Sequence, residues 1–406
     1  MKILFVHQNA PGQYLHLARH FASIPGNEVA FISQRADFSM AGIRHVTYQP
    51  RRSITRQIHH YLGDVEAAIL NAQEVARVAL DLRQSGFVPD LMLGHNGWGE
   101  IWYLKDVFPH APLIGYFEFF YRAHGADVGF APDDPPLFDT ALRVRTKNLG
   151  NLLGLDAVDW GQTPTQWQRS LYPATHQPII SVVHEGIDTR LVTPDSAAQF
   201  TDPTTGRTFH AGDEIVTYVA RHLEPHRGFD TFMRSLPRIL SERPNAQVLI
   251  VGADGVSYGP RLAEGESHKK RMLEEVGASL DLPRVHFLDR VPHSQFQKVL
   301  QVSRVHIYLT YPFVLSWSML EAMAAGCLVV GSRTPPVEEV ISDGVNGLLV
   351  DFFSPEEVAS RAIDALKDAR LHDGLRAAAR ETVKTKYDLH RVCLPAQIGL
   401  IEHVLR

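Results

Sequence analysis

With 406 residues, 45% of them hydrophobic, the chain is too long for one ordinary core and apolar enough to fold throughout, so two domains are expected. A formal charge of -5 and a pI near 6.5 exclude general nucleic-acid binding; an anionic ligand would need individually placed arginines or lysines. The two cysteines, Cys327 and Cys393, form no CxxC or Cys/His cluster, which excludes a disulfide framework and a zinc site and indicates a reducing compartment.

The opening MKILFVHQ carries a short apolar run closed by a polar stop and reads as a first buried strand, not a signal peptide or membrane span. No later segment approaches about 18 uninterrupted apolar residues, so a cytoplasmic protein, soluble or peripherally attached to the inner face of a membrane, is expected. Alternation follows: KILFV (2–6), a helix around 14–23, EVAFIS (28–33), a long helix near 65–84, DLMLGH (90–95) and PLIGYFEFF (112–120). Alternating β and α units imply a parallel sheet covered by helices on both faces. The basic segment IRHVTYQPRRSITRQIHHYL (43–62) has two readings, contact with an anionic membrane or lipid-linked acceptor and an ordinary solvated face.

Further strand-like segments lie in 157–164 and 178–186, and 193–213, polar and rich in turn formers, suits an interdomain linker. The pattern then restarts with EIVTYVA (214–220), a helix from about 228 to 242, QVLIVG (247–252), RVHFL (284–288), RVHIYLTY (304–311), LVVG (328–331) and GLLVDF (347–352). Ser354, Pro355 and Glu357 supply an N-cap, a first-turn proline and an acidic third position for a helix over 355–369. A final helical stretch, about 389–405, belongs either with the second domain or back across the first.

Each first βα turn of such a unit presents backbone N–H groups to an anion. In the first unit, Gly12 is either a turn residue or backbone that lines a substrate. In the second, Arg221 and Arg227 flank the turn before Gly228, and their guanidiniums suit one diphosphate better than two solvated surface positions. Glu321, in YPFVLSWSMLEAMAAG, has two readings of equal standing: a capping box with Ser318, or a carboxylate aimed at a ribose diol. His95, Asn96, Trp98 and Glu100 follow one predicted strand of the first unit, and Glu118 and Tyr121 another; such strand ends suit an acid, a base or a sugar-binding group.

Arg221, Arg227-Gly228, the QVLIVG strand and above all LEAMAAGCLVVGSRTPPVEEVISDGVNGLLVD (320–351) resemble the retaining family 4 glycosyltransferases. HEGID (184–188) is similar to a segment just before that family's interdomain linker. The resemblance implies a GT-B fold, two Rossmann-like doubly wound domains facing each other across a cleft. Residues 1–195 would bind the acceptor and 196–385 the nucleotide sugar, with 386–406 returning to the first domain. It also implies an NDP-sugar co-substrate, no metal and no other cofactor, Arg221 and Arg227 on the diphosphate, Glu321 on the ribose, and domain closure over the donor.

Two positions depart from the family pattern. Phe313 stands where the first carboxylate of a Glu-x7-Glu motif would touch the donor sugar, which leaves the N–H groups of Val314, Leu315 and Ser316 as substitutes. Glu118 stands near the family's active-site His, so Glu118 or His95 takes the catalytic role, and Asn96, Trp98 and Tyr121 are assigned to the acceptor. Asp133-Asp134 in a Pro-rich loop reads as solvated. A retaining hexosyltransferase-like enzyme acting on a glycan, lipid-linked or small-molecule acceptor is therefore expected. The alternatives are an NDP-sugar epimerase, a phosphorylase-like enzyme, or a binding protein that has lost the chemistry. A nicotinamide dehydrogenase is disfavoured, since neither unit has a GxGxxG.

Overall fold

The computed structural model describes residues 1–406 except 133, 134, 136, 261 and 369. The Asp133-Asp134 reading thus lies outside the described residues. The chain divides into two compact units, Met1–Gly186 with His390–Arg406, and Ile187–Leu389.

The first unit is built on seven strands: β1 (Lys2–Val6), β2 (Glu28–Ser33), β3 (Ile43–Thr47), β4 (Leu91–His95), β5 (Leu113–Tyr116), β6 (Trp160–Thr163) and β7 (Ile180–Val182). They pair in parallel in the order β3-β2-β1-β4-β5-β6-β7. Successive side chains of a strand point to opposite faces. Ile3 and Phe5 accordingly pack with Leu17, Phe21, Leu400 and Ile401, while Leu4 and Val6 pack with Ala72, Val75 and Leu82 of the helix Gly63–Gln84. Burial on both faces is why KILFV reads as continuously apolar. The C-terminal helix Leu394–Val404 contributes Leu400 and Ile401 to this core.

The β3 strand has no counterpart among the elements read from sequence. It is an edge strand whose residues stay half-exposed or exposed, so IRHVT lacks the apolar run of its neighbours.

The second unit opens with a hairpin, β8 (Gln199–Thr201) against β9 (Thr208–His210), antiparallel. This overturns the linker reading of 193–213. Phe200 and Phe209 are both buried, packed with Ile215, Leu249 and Val299, and Asp202 sits 3.1 Å from His286 of the main sheet. The turn formers of that stretch close a hairpin, and two phenylalanines on its inward face anchor it.

Six parallel strands follow: β10 (Ile215–His222), β11 (Gln247–Ala253), β12 (Val285–Phe287), β13 (Val305–Tyr308), β14 (Leu328–Ser332) and β15 (Leu348–Val350), in the order β12-β11-β10-β13-β14-β15. Both sheets reverse direction once, the first between β1 and β4, the second between β10 and β13. In open α/β sheets that reversal parts the loops at the carboxyl ends of the strands and leaves a crevice for a ligand. The Ser354 cap forms as the sequence indicates: its side chain accepts from the Glu357 N–H at 3.1 Å at the head of the helix Pro355–Lys367.

Candidate functional site

At the β10/β13 reversal the chain leaves β10 through Glu224-Pro-His-Arg-Gly228 and enters the helix Phe229–Glu242. Gly228 holds a left-handed φ of 64°, and a Cβ there would meet Leu309 at 2.5 Å, so no larger residue fits between the two loops. Arg227 is only 7% exposed. One terminal nitrogen of its guanidinium donates to Thr310 Oγ1 at 2.7 Å, to the Val314 carbonyl at 3.1 Å and to the Tyr308 hydroxyl at 3.3 Å. Arg227 therefore ties the loop after β10 to the loop after β13, with its charge over the Tyr258 ring at 5.3 Å.

Arg221 is placed differently. The β10–β11 ladder shifts register between Val219 and His222, and Arg221, within that bulge, is exposed. The two arginines do not stand as equivalent ligands: one is built into the fold, the other faces solvent.

Phe313, Val314 and Leu315 are buried. Phe313 packs against Tyr258 with ring centroids 4.9 Å apart. The Ser316 N–H, expected to be open to a donor, donates instead to the Tyr308 hydroxyl at 2.8 Å, and the Ser316 side chain caps the helix Trp317–Ala324. That cap moves the helix start ahead of Ser318 and puts Glu321 in the second turn, which rules out the Ser318–Glu321 capping box. Glu321 is 2.9 Å from His293 Nε2, and this contact raises the His293 pKa above its ordinary value.

The sequence reading overlooked Glu224. Fully buried, its carboxylate accepts the backbone N–H groups of Ser257, Tyr258 and Gly259, each at 3.0 Å. It pins the segment that carries Tyr258 against Arg227. A glutamate in a βα turn looks solvated on the page, and its partners lie more than 30 residues away, so no local pattern marks it.

In the first unit, the β1/β4 reversal gathers aromatic and imidazole rings. His7 follows β1 and His95 ends β4; their rings are 5.0 Å apart, and Trp98 stacks on His95 at 4.6 Å. Gly12 has a φ of 49°, and a Cβ there would strike the His7 ring at 2.4 Å, so its lack of a side chain serves the His7 packing. The Asn9 N–H donates to His7 Nδ1 and the Gly97 N–H to His95 Nδ1, both at 2.9 Å. Each neutral ring thus carries its proton on Nε2. Burial lowers the His7 pKa to about 4 and drives that of His95 well below 6.5, so both are neutral at pH 7.

His7 Nε2–H donates to Gln13 Oε1 at 2.7 Å. His95 Nε2–H, fully buried and without a hydrogen-bond partner among the described residues, lies 3.8 Å from the Glu118 carboxylate, whose side chain is 40% exposed. That is too far for a hydrogen bond and leaves His95 as a donor facing a carboxylate. A ring protonated on Nε2 cannot act as a base through that atom.

The remaining acceptor candidates differ among themselves. The Asn96 amide is wholly engaged inside the unit: Oδ1 accepts from Trp102 Nε1 at 3.0 Å, and Nδ2 donates at 3.3 Å to the Gly150 carbonyl and to Asn151. An acceptor contact through this amide would require these hydrogen bonds to give way. Trp98 is half-buried on His95, and half-buried Tyr121 carries Lys147 Nζ over its ring at 4.1 Å. Among the described residues no group of three or more His, Cys, Asp or Glu side chains is arranged to hold a metal ion.

Two parallel doubly wound sheets, each with polar side chains gathered at its reversal, define an α/β fold of the GT-B class. Family comparison carries this further. The model described as glycosyl transferase family 4 group matches residues 25–192, and that described as glycosyl transferases group 1 matches residues 205–382. The chain belongs to the family 4 glycosyltransferases.

Among relatives, it is 30% identical over 193 residues to a D-inositol 3-phosphate glycosyltransferase of Corynebacterium efficiens, covering 47% of this chain and 43% of that protein. It is 25% identical over 303 residues to a GDP-mannose-dependent alpha-(1-6)-phosphatidylinositol monomannoside mannosyltransferase of Mycolicibacterium smegmatis, covering 71% and 72%. The chain spans less than half the length of several curated relatives it matches. In fold it is similar to sucrose-phosphate synthase of Thermosynechococcus elongatus (TM-score 0.70, 16% identity, 100% of this chain and 99% of that one). It is also similar to HepE of Anabaena, solved with UDP (TM-score 0.66, 16% identity, 99% and 100%).

Proposed function

We propose that the protein is a retaining glycosyltransferase that moves a sugar from a nucleoside-diphosphate donor to a glycan, lipid-linked or small-molecule acceptor, in cell-surface polysaccharide or glycoconjugate biosynthesis. The observation that carries this reading is the β10/β13 reversal, where Arg227 locks the two loops together and Glu321 follows in the next helix. In it, Glu321 takes the ribose diol, displacing His293. Arg227 supplies fixed positive charge beside the diphosphate, exposed Arg221 supplies mobile charge, and the N–H groups of Val314 and Leu315 and the ring of Phe313 border the sugar.

The first unit takes the acceptor, with Glu118 and the His95 Nε2–H donor nearest the reacting hydroxyl and Trp98 and Tyr121 as platforms for a ring. In the transfer, the bond from the sugar's anomeric carbon to the diphosphate oxygen breaks. The acceptor oxygen bonds to that carbon on the same face, and its proton passes to the departing diphosphate. The charge that develops on the diphosphate is met by the Arg227 guanidinium, already in place, and by the mobile one of Arg221, a task that calls for no metal.

Similarity to proteins named for inositol phosphate and phosphatidylinositol mannoside substrates supports a polyol or glycolipid acceptor, and the likeness to a UDP-bound fold supports a nucleotide donor. Work on a lipid-linked acceptor would bring the protein to the inner face of a membrane from the cytoplasm.

Acceptor-dependent release of nucleotide from the donor tests the reading. Arg227→Ala should lower turnover at least about a hundredfold, the scale of removing a group that stabilises transition-state charge. Turnover near that of the unaltered protein, with folding intact, would remove Arg227 from the chemistry.

A further inference from the structure

Large apolar side chains scattered singly over a surface are ordinary, but a cluster of them marks a docking face. In the first unit two consecutive helices, Phe138–Lys147 and Leu149–Ala157, leave such a cluster in water. Leu137 is 72% and Phe138 81% exposed, and Leu142, Leu149, Leu152 and Leu153 are exposed with them. The first of these helices buries only Val144. A helix that turns Phe138 and Leu142 outward and buries one residue is not explained by the core beneath it.

The same face is basic. Arg143 and Arg145 are exposed on the first helix. The segment 51–62 lies against that helix: the Tyr61 hydroxyl donates to the Asp139 carboxylate, His60 is 3.8 Å from Asp139, and Lys147 is 3.8 Å from Asp64. Arg56 and Ile54 of this segment are exposed as well. Asp139 is engaged by Tyr61 and His60, Asp64 by Lys147, and Glu66 by Arg52 and Thr55, while Asp156 is exposed on the second helix.

We propose that this face docks on an anionic phospholipid bilayer. Leu137, Phe138 and the outward leucines enter the boundary between headgroups and acyl chains, while Arg143 and Arg145 meet the lipid phosphates. Protruding apolar side chains interleaved with cations, on a chain whose formal charge is -5, match the chemistry of that boundary. The proposal names the surface for the peripheral contact of the transferase reading, yet it rests on observations independent of donor chemistry.

The test is co-sedimentation of the full chain with phosphatidylcholine vesicles, with and without phosphatidylglycerol, alongside a donor thermal shift on the same samples. Binding should require phosphatidylglycerol and weaken as salt rises. Phe138→Ser with Leu142→Ser should weaken it at least about tenfold, and Arg143→Gln and Arg145→Gln about fivefold each. All four positions are exposed, so melting temperatures and donor shifts should not change. Absence of vesicle binding, equal binding to phosphatidylcholine alone, or binding indifferent to these substitutions overturns the proposal. So does concentration-dependent self-association that Phe138→Ser abolishes in protein that ignores vesicles. None of these results bears on the transferase reading, which is tested separately by the donor shift and by acceptor-dependent release of nucleotide.

Discussion

In the proposed site, Arg227 and Glu321 are side chains held by the fold before any ligand arrives. Arg227 is nearly buried, and a side chain tied to Thr310, Tyr308 and the Val314 carbonyl reaches any ligand already oriented. Lysine would keep the charge but could not reproduce that fan of hydrogen bonds. Glu321 is engaged by His293 in the absence of nucleotide, which gives the site a pH dependence of definite sign. The contact raises the His293 pKa above 6.5, so the ion pair is complete below that value and is lost as pH rises through the elevated one. Nucleotide competing for Glu321 should therefore bind more weakly in acid. Because the His293 side chain is mostly exposed, the pair is worth little, and His293→Ala should tighten nucleotide binding about two- to fivefold at pH 6. Calorimetric titration of both proteins at pH 6 and pH 9 checks this, with no difference expected at pH 9.

At the scale of elements, buried polar contacts fix the loops that carry the site. Glu100 follows β4, is fully buried, and receives the Tyr48 hydroxyl at 2.8 Å; burial raises its pKa from 4.5 to about 7. A carboxyl whose folded pKa exceeds its unfolded one binds the extra proton in the folded state, so stability falls as pH rises from about 4.5 towards 7. Glu100→Gln keeps an acceptor for Tyr48 and removes the charge. It should stabilise the protein by up to about 3 kcal/mol at pH 8 and change little at pH 4, as urea unfolding at the two values would show. The β8–β9 hairpin makes an opposite case from apolar groups. If Phe200 and Phe209 anchor it, Phe200→Ala should cost about 3–5 kcal/mol in the same assay, whereas substitution in a free linker would cost almost nothing.

These elements also mark what could be read beforehand. Strands buried on both faces announced themselves as apolar runs, and the Ser354 cap as a local motif. The hairpin and β3 did not, because a short strand with one buried face holds too few apolar residues to stand out from turn formers. The site divides in the same way. Arg221, Arg227 and Glu321 could be named as candidates because spacing around a βα turn is local, whereas Glu224, the Ser316 cap and the enclosed amide of Asn96 depend on partners that only folding brings near.

For the whole molecule, two parallel sheets with one reversal each explain why polar groups that sequence scatters over 300 residues reduce to two clusters, one in each unit. The His7–His95–Trp98 ring cluster with Glu118 marks the first, and Arg227 with Glu321 the second. The central claim is that the second cluster holds a nucleotide sugar. The most direct measurement is the melting temperature of the purified protein with UDP-, GDP-, dTDP- and CMP-linked sugars, since a ligand bound only by the native state raises it. One nucleotide class should raise the melting temperature of the unaltered protein and leave that of Glu321→Ala unmoved. No shift with any donor, or an equal shift in the variant, would contradict the account.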